Sequence, residues 1–135
     1  MRTEQAILSG LLYNEEYLRK TIAFIKDEYF HDIGDQTVFK LISDYLDKYN
    51  RPPTKEALQI ELGNIAMPEG VFNSSIETLD NLSNSTEDYQ WLVDTTEKFC
   101  QDKSIHNAIH TAIKILDNSK EVGHLNKGMI PKLIS

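Results

Sequence analysis

The sequence contains no glycine or proline between Ser85 and Ser119, so nothing in this long stretch interrupts helical backbone geometry. Ser85 and Asp88 have the spacing of a helix-capping box, and the stretch predicts one helix that runs on to Asn118. At 1.5 Å per residue this helix is roughly 50 Å long, whereas the residues before it could build a globule only about 30 Å across. We therefore expect part of the helix to project.

The half of this helix that is expected to project carries an apolar stripe. Apolar residues recur there at steps of four, three and four, the spacing of a coiled-coil seam, at Ile105, Ile109, Ala112 and Leu116. Because water disfavours an exposed stripe of this kind, the pattern predicts contact with a partner helix.

The end of the sequence predicts the start of a second helix. Lys120–Lys127 is interpreted as a turn, and apolar residues then recur from Met129 to Ile134, with Pro131 tolerable in the first turn. This second helix is only about one turn long at Ser135, so we interpret the chain as a fragment of a longer protein that would complete a helical hairpin. The residues expected to form the hairpin and its subunit contacts are Ile105, Ile109, Ala112, Ile113, Leu116, Ile130 and Leu133.

Five shorter helices are predicted before the long one, and no convincing strand pattern is present. Asn14, Asp35 and Thr54 are expected to cap the second, third and fourth helices, and Ser74 with Glu77 has capping-box spacing at the fifth. The predicted fold is therefore all-α, with a small globular helical bundle over residues 1–84 and the long helix with the start of its hairpin over 85–135. The expected short helices are Thr3–Leu12 with Gly10 as a close-approach point, Asn14 through Ile25, Asp35 to Tyr49, Thr54 to Leu62 before a loop over Asn64–Gly70, and Ser74–Leu82.

The charge balance argues against direct binding of nucleic acid. Lys and Arg number 14 against 21 Asp and Glu, which gives a net charge of −7, and binding to DNA depends largely on basic residues that neutralise phosphates.

The single cysteine, Cys100, cannot form an intramolecular disulfide and is expected to be a partly buried thiol. With no signal peptide and no apolar run long enough to span a membrane, we expect a soluble cytoplasmic protein.

The motifs that could carry chemistry favour ordinary structural roles. His106 and His110 have the spacing of two zinc ligands on a helix, but the glutamate of H-E-x-x-H is missing and no third ligand is evident. The acidic pairs Glu15-Glu16 and Glu87-Asp88 are assigned to first helical turns, where the helix dipole favours them. Glu97 and Asp102 offset the nearby lysines at Cys100, so no positive field favours a thiolate. No phosphate-binding glycine motif occurs, and we expect no catalytic residue, metal or cofactor in this chain.

Three aromatic residues of the long helix, Tyr89, Trp91 and Phe99, could in principle stack against bases. Acidic neighbours outnumber the basic residue among them, Lys98, so core packing or a protein interface is the preferred interpretation.

Five segments carry a resemblance to a known family: Glu4–Leu12, Glu28–Phe30, Val38–Tyr49, Arg51–Leu58 and Tyr89–Ile115, the last including Trp91–Val93 and Thr96–Lys98. In this order they resemble the N-terminal domains of DnaB-type replicative DNA helicases, with the greatest likeness to those of T-even-like phages. The place where that family often has a histidine holds Asp35, and its basic residues after Lys103-Ser104 are replaced by His106 and Asn107.

The resemblance implies a collar domain that pairs through its hairpin into dimers within a hexameric ring. It also implies docking of a primase and, in phages, of a helicase loader. ATP and Mg²⁺ would be used by a RecA-like domain that is not part of this sequence, and DNA would be contacted through that domain. A standalone helical adaptor or loader of phage replication is the alternative, and a helical nucleic-acid-binding domain is a weaker one.

Overall fold

A computed structural model describes residues 2–84 and 87–121, with side chains to residue 118. Within those ranges the chain is helical and contains no strand, which confirms the predicted all-α class with five short helices before a long one. A single 3-10 turn, Asp27–Tyr29, lies between the second and third helices. The helices are α1 Thr3–Tyr13, α2 Glu15–Thr21, α3 Ile33–Tyr49, α4 Lys55–Asn64, α5 Glu69–Asp80 and α6 Tyr89–Glu121.

Two of the predicted helix caps are confirmed. The side chain of Asn14 accepts a 3.1 Å hydrogen bond from the backbone N–H of Tyr17 at the start of α2. The Thr54 hydroxyl accepts a 3.0 Å bond from the N–H of Ala57 at the start of α4. Each side chain satisfies a backbone donor that has no partner within its helix.

The cap predicted for α3 was wrong, because Asp32 fills that position instead of Asp35. The Asp32 carboxylate accepts a 2.7 Å hydrogen bond from the N–H of Gly34, and the helix begins at Ile33. Asp35 therefore lies in the first turn, where its side chain turns into the protein and is 1% exposed.

The second predicted helix is shorter than expected. α2 ends at Thr21, and the chain then passes through a turn and the 3-10 turn before α3. This departure from helical geometry lets both Ile25 and Phe30 reach the core, where they are 5% and 0% exposed. Tertiary burial outweighed the helical spacing on which the longer prediction rested.

The starts of α5 and α6 also differ from the prediction. α5 begins at Glu69, directly after Pro68, so Ser74 is an interior residue and the preceding loop is shorter than Asn64–Gly70. α6 begins at Tyr89, where Asp88 accepts a 2.9 Å hydrogen bond from the N–H of Trp91. Glu87-Asp88 thus precede the helix rather than forming its first turn. Ser85 lies outside the described residues.

The core combines side chains of α1 to α5 with those of the first turns of α6. Gly10 is a close-approach point, as predicted, because a Cβ there would lie 2.7 Å from the ring of Tyr17 and 2.8 Å from Leu92. Phe30 packs with ring-centroid distances of 5.4 Å to Phe39 and 5.7 Å to Phe99. Helix α3 contacts α1, α4 and α5, which makes it the central element of the bundle.

A buried hydrogen bond joins α2 to α6 within this core. The Thr96 hydroxyl donates to the carbonyl of Leu92 at 2.7 Å, so it accepts the 2.5 Å hydrogen bond that the Tyr17 hydroxyl donates. Burial raises the pKa of Tyr17 well above its ordinary value, against the lowering effect of the hydrogen bond with Thr96. The phenol therefore stays protonated and serves as a donor.

The chain divides into two compact units, Met1–Cys100 and Gln101–Ser135. The predicted domain bounds of 1–84 and 85–135, and the projection of the long helix, stay predictions. α6 continues to Glu121, so the turn predicted over Lys120–Lys127 does not begin at Lys120.

Candidate protein-interaction surfaces

The predicted apolar stripe lies on α6 in the second unit. At about 100° per residue, its five described members fall within an arc of about 100° around the helix axis. In the single chain Ile105 is 61% exposed, Ile109 56%, Ile113 51% and Leu116 45%, with Ala112 partly buried. The structure therefore brings Ile105, Ile109, Ala112, Ile113 and Leu116 together on one face; Ile130 and Leu133 lie outside the described residues.

An exposed row of four large aliphatic side chains is unusual on a helix that has no partner, because their transfer from water favours burial. Outside the stripe, Ile60 is the one large apolar residue of the described chain with more than 50% exposure. The stripe is thus a candidate surface for contact with another helix.

The two histidines of α6 are exposed. Their rings are parallel, with centroids 6.4 Å apart and an interplanar angle of 5°. Across the described ranges no group of three or more His, Cys, Asp or Glu side chains is placed to hold a metal ion.

Cys100 is buried beside Phe99 in the core, in line with the predicted partly buried thiol. Burial raises the pKa of this thiol to about 11, so the thiolate that a nucleophile requires is disfavoured at neutral pH. Glu15 and Glu16 lie in the first turn of α2, as predicted, and Glu15 also accepts a 2.9 Å charged hydrogen bond from Arg19.

The three aromatic residues of α6 have different environments. Phe99 is buried and Tyr89 packs against the core, whereas Trp91 is 49% exposed. Core packing thus accounts for two of them, and Trp91 is available for contact with another molecule.

In the ranges that the structure describes, residues 2–84 and 87–121, no helix is long and apolar enough to cross a membrane.

Comparison with known proteins identifies the family of the chain. The family model of the DnaB-like helicase N terminal domain matches residues 1–98, which cover α1–α5 and the first turns of α6. A DnaB-like replicative helicase of Enterobacteria phage T4 is 31% identical over 116 residues, which are 86% of this chain and 24% of that protein. The chain therefore spans about a quarter of the length of the relative it matches. Because the family model covers well over half of its length, the chain belongs to the DnaB-like helicase N-terminal domain family.

Proposed function

We propose that this chain is the N-terminal collar domain of a hexameric, ATP-dependent replicative DNA helicase, where it holds subunits together. The observation that carries the proposal is the exposed stripe Ile105, Ile109, Ile113 and Leu116 on α6. Identical subunits offer each other identical stripes, and a two-fold contact would bury both at once.

The energetics of the stripe favour a second copy as its partner. Complete burial of an Ile or Leu side chain contributes roughly 1.5–3 kcal/mol relative to full exposure, so each of these half-exposed side chains could contribute on the order of 1 kcal/mol. Two copies double the number of side chains buried, which gives a total large enough to offset part of the entropy lost on association.

The remaining roles in this proposal are those that the family resemblance implies. The collar would dock a primase and a helicase loader, while ATP, Mg²⁺ and DNA would be handled by a RecA-like domain outside this sequence. A net charge of −7 supports a division of roles in which this domain binds proteins and another part of the helicase binds DNA.

Substitution on the stripe tests the proposal. Ile109→Asp places a charge at the centre of the proposed contact, and we expect it to abolish self-association while the first unit stays helical. Thr111→Asp adds the same charge on the opposite side of α6, so its effect on self-association should be small. Light scattering after gel filtration measures the mass, and circular dichroism measures the helix content. An unchanged oligomeric mass for Ile109→Asp would overturn the assignment of the stripe.

A further inference from the structure

A second candidate surface lies in the first unit, between the C-terminal half of α3 and the end of α4. These helices pack against each other and leave a groove of about 150 Å³ between their exposed sides. The groove is lined by Leu41, Asp44, Tyr45, Lys48, Tyr49, Glu61 and Ile65.

The floor and walls of the groove are largely apolar. The rings of Tyr45 and Tyr49 lie 4.6 Å apart at an angle of 49°, a tilted aromatic pair one helical turn apart. Tyr49 is 44% exposed and Ile65 43% exposed, so both offer apolar surface to a ligand. A cavity of roughly 150 Å³ with apolar walls accepts a group the size of benzene. The groove therefore has the size for one aromatic side chain.

The rim of the groove carries two carboxylates on facing helices. Asp44 on α3 and Glu61 on α4 are both exposed, and neither forms an ion pair within the part of the chain that the structure describes. The one lysine of the lining, Lys48, places its ammonium 5.3 Å from the centroid of the Tyr49 ring, within range of a cation–π contact. The carboxylates are thus free to receive a cation from a ligand.

We propose that this groove docks a segment of another protein that inserts an aromatic side chain and places an adjacent arginine or lysine between Asp44 and Glu61. Aromatic and arginine side chains dominate binding energy at protein interfaces, and complementary charge fixes their orientation. The acidic rim and the overall charge of −7 select a basic protein segment and disfavour nucleic acid. The groove lies within Met1–Cys100, so the proposal does not depend on self-association through the stripe.

Two blocked dipeptides test the proposal on the full chain: acetyl-tryptophanyl-arginine amide and its acidic counterpart acetyl-tryptophanyl-glutamate amide. In an NMR titration we expect the basic probe to shift the signals of Leu41, Tyr45, Tyr49 and Ile65. Binding of the acidic probe should be about fivefold weaker, the scale set by exposed charge pairs. Equal binding of the two probes, or shifts confined to other residues, would overturn the proposal.

Matched variants separate the apolar and charged parts of the groove. The double variant Asp44→Asn, Glu61→Gln keeps the shape of the rim and should bring the two probes to equal affinity. Asp47→Asn removes a carboxylate of α3 that does not line the groove, and should keep the preference for the basic probe. If Asp47→Asn loses the preference to the same extent as the double variant, the preference depends on net charge alone and the proposed role of the rim is contradicted. Light scattering on the double variant should give the mass of the unaltered chain, which distinguishes failure at the groove from failure of the self-association proposed above.

Discussion

At the scale of single residues, Asp35 has the least expected environment. It is 1% exposed, and the Thr78 hydroxyl donates a 3.0 Å hydrogen bond to one of its carboxylate oxygens. Arg2 donates a 3.4 Å hydrogen bond to the other oxygen. Burial raises the pKa of this carboxyl, against the lowering effects of Thr78 and Arg2. Removal from water thus outweighs both partners, and the charged form of Asp35 costs the folded state free energy.

Substitution of Asp35 should change the pH dependence of stability. Because the folded state holds the proton more tightly than the unfolded chain, the contribution of Asp35 is most favourable below the unfolded pKa of about 3.9 and is lost as pH rises through the folded pKa. We expect the free energy of unfolding of Asp35→Asn, measured with urea, to rise relative to the unaltered protein between acidic and neutral pH. A constant difference across that range would contradict the raised pKa.

Asp35→Leu is the matched control for the hydrogen bond. It removes the acceptor of the buried Thr78 hydroxyl, so it should destabilise the fold by about 1–3 kcal/mol at neutral pH, whereas Asp35→Asn retains an acceptor oxygen.

At the scale of helices, the contact of α3 with α5 depends on Gly34. A Cβ at this position would lie 2.7 Å from the backbone carbonyl carbon of Ser74 and 2.8 Å from the hydroxyl of Thr78. Backbone cannot move aside as a flexible side chain can, so Gly34→Ala should force the two helices apart. We expect a loss of about 1–3 kcal/mol in the urea-unfolding free energy.

Gly63→Ala in α4 provides the control for Gly34→Ala. Beyond its chain neighbours and the local backbone of α4, no atom lies within 4 Å of a Cβ built on Gly63, and alanine is a better helix former than glycine. This substitution should stabilise the protein by about 0.5–1 kcal/mol. A loss of stability in both variants would mean that close packing at Gly34 is not the cause.

The start of a helix was predicted correctly where one local capping residue was enough to define it. Asn14 and Thr54 were identified because each is the single good capping residue beside its helix. Asp32 and Asp35 both suit a cap, and only the packing of α3 on α5 decides between them. α5 starts at Glu69, directly after Pro68, so the capping-box pattern at Ser74 was a misleading local signal.

At the scale of the whole molecule, the two candidate surfaces differ in how visible they are in the sequence. The stripe of α6 repeats along a single helix, so its spacing alone predicts it. The groove combines Tyr45 and Tyr49 with Ile65, which α3 and α4 bring together only in the folded bundle. Sequence periodicity carries no signal for a surface of that kind. The family resemblance rested on the order of many short segments, and the family model over residues 1–98 confirmed it.

The central claim, that α6 joins copies of the chain through its stripe, is tested most directly by NMR of isotope-labelled isoleucine methyl groups over a range of protein concentrations. We expect the signals of Ile105, Ile109 and Ile113 to shift together as concentration rises. The buried Ile7 and Ile42 should stay constant, as should the exposed Ile60 of the first unit. Signals that do not depend on concentration, or shifts at Ile60 without shifts at Ile109, would contradict the account.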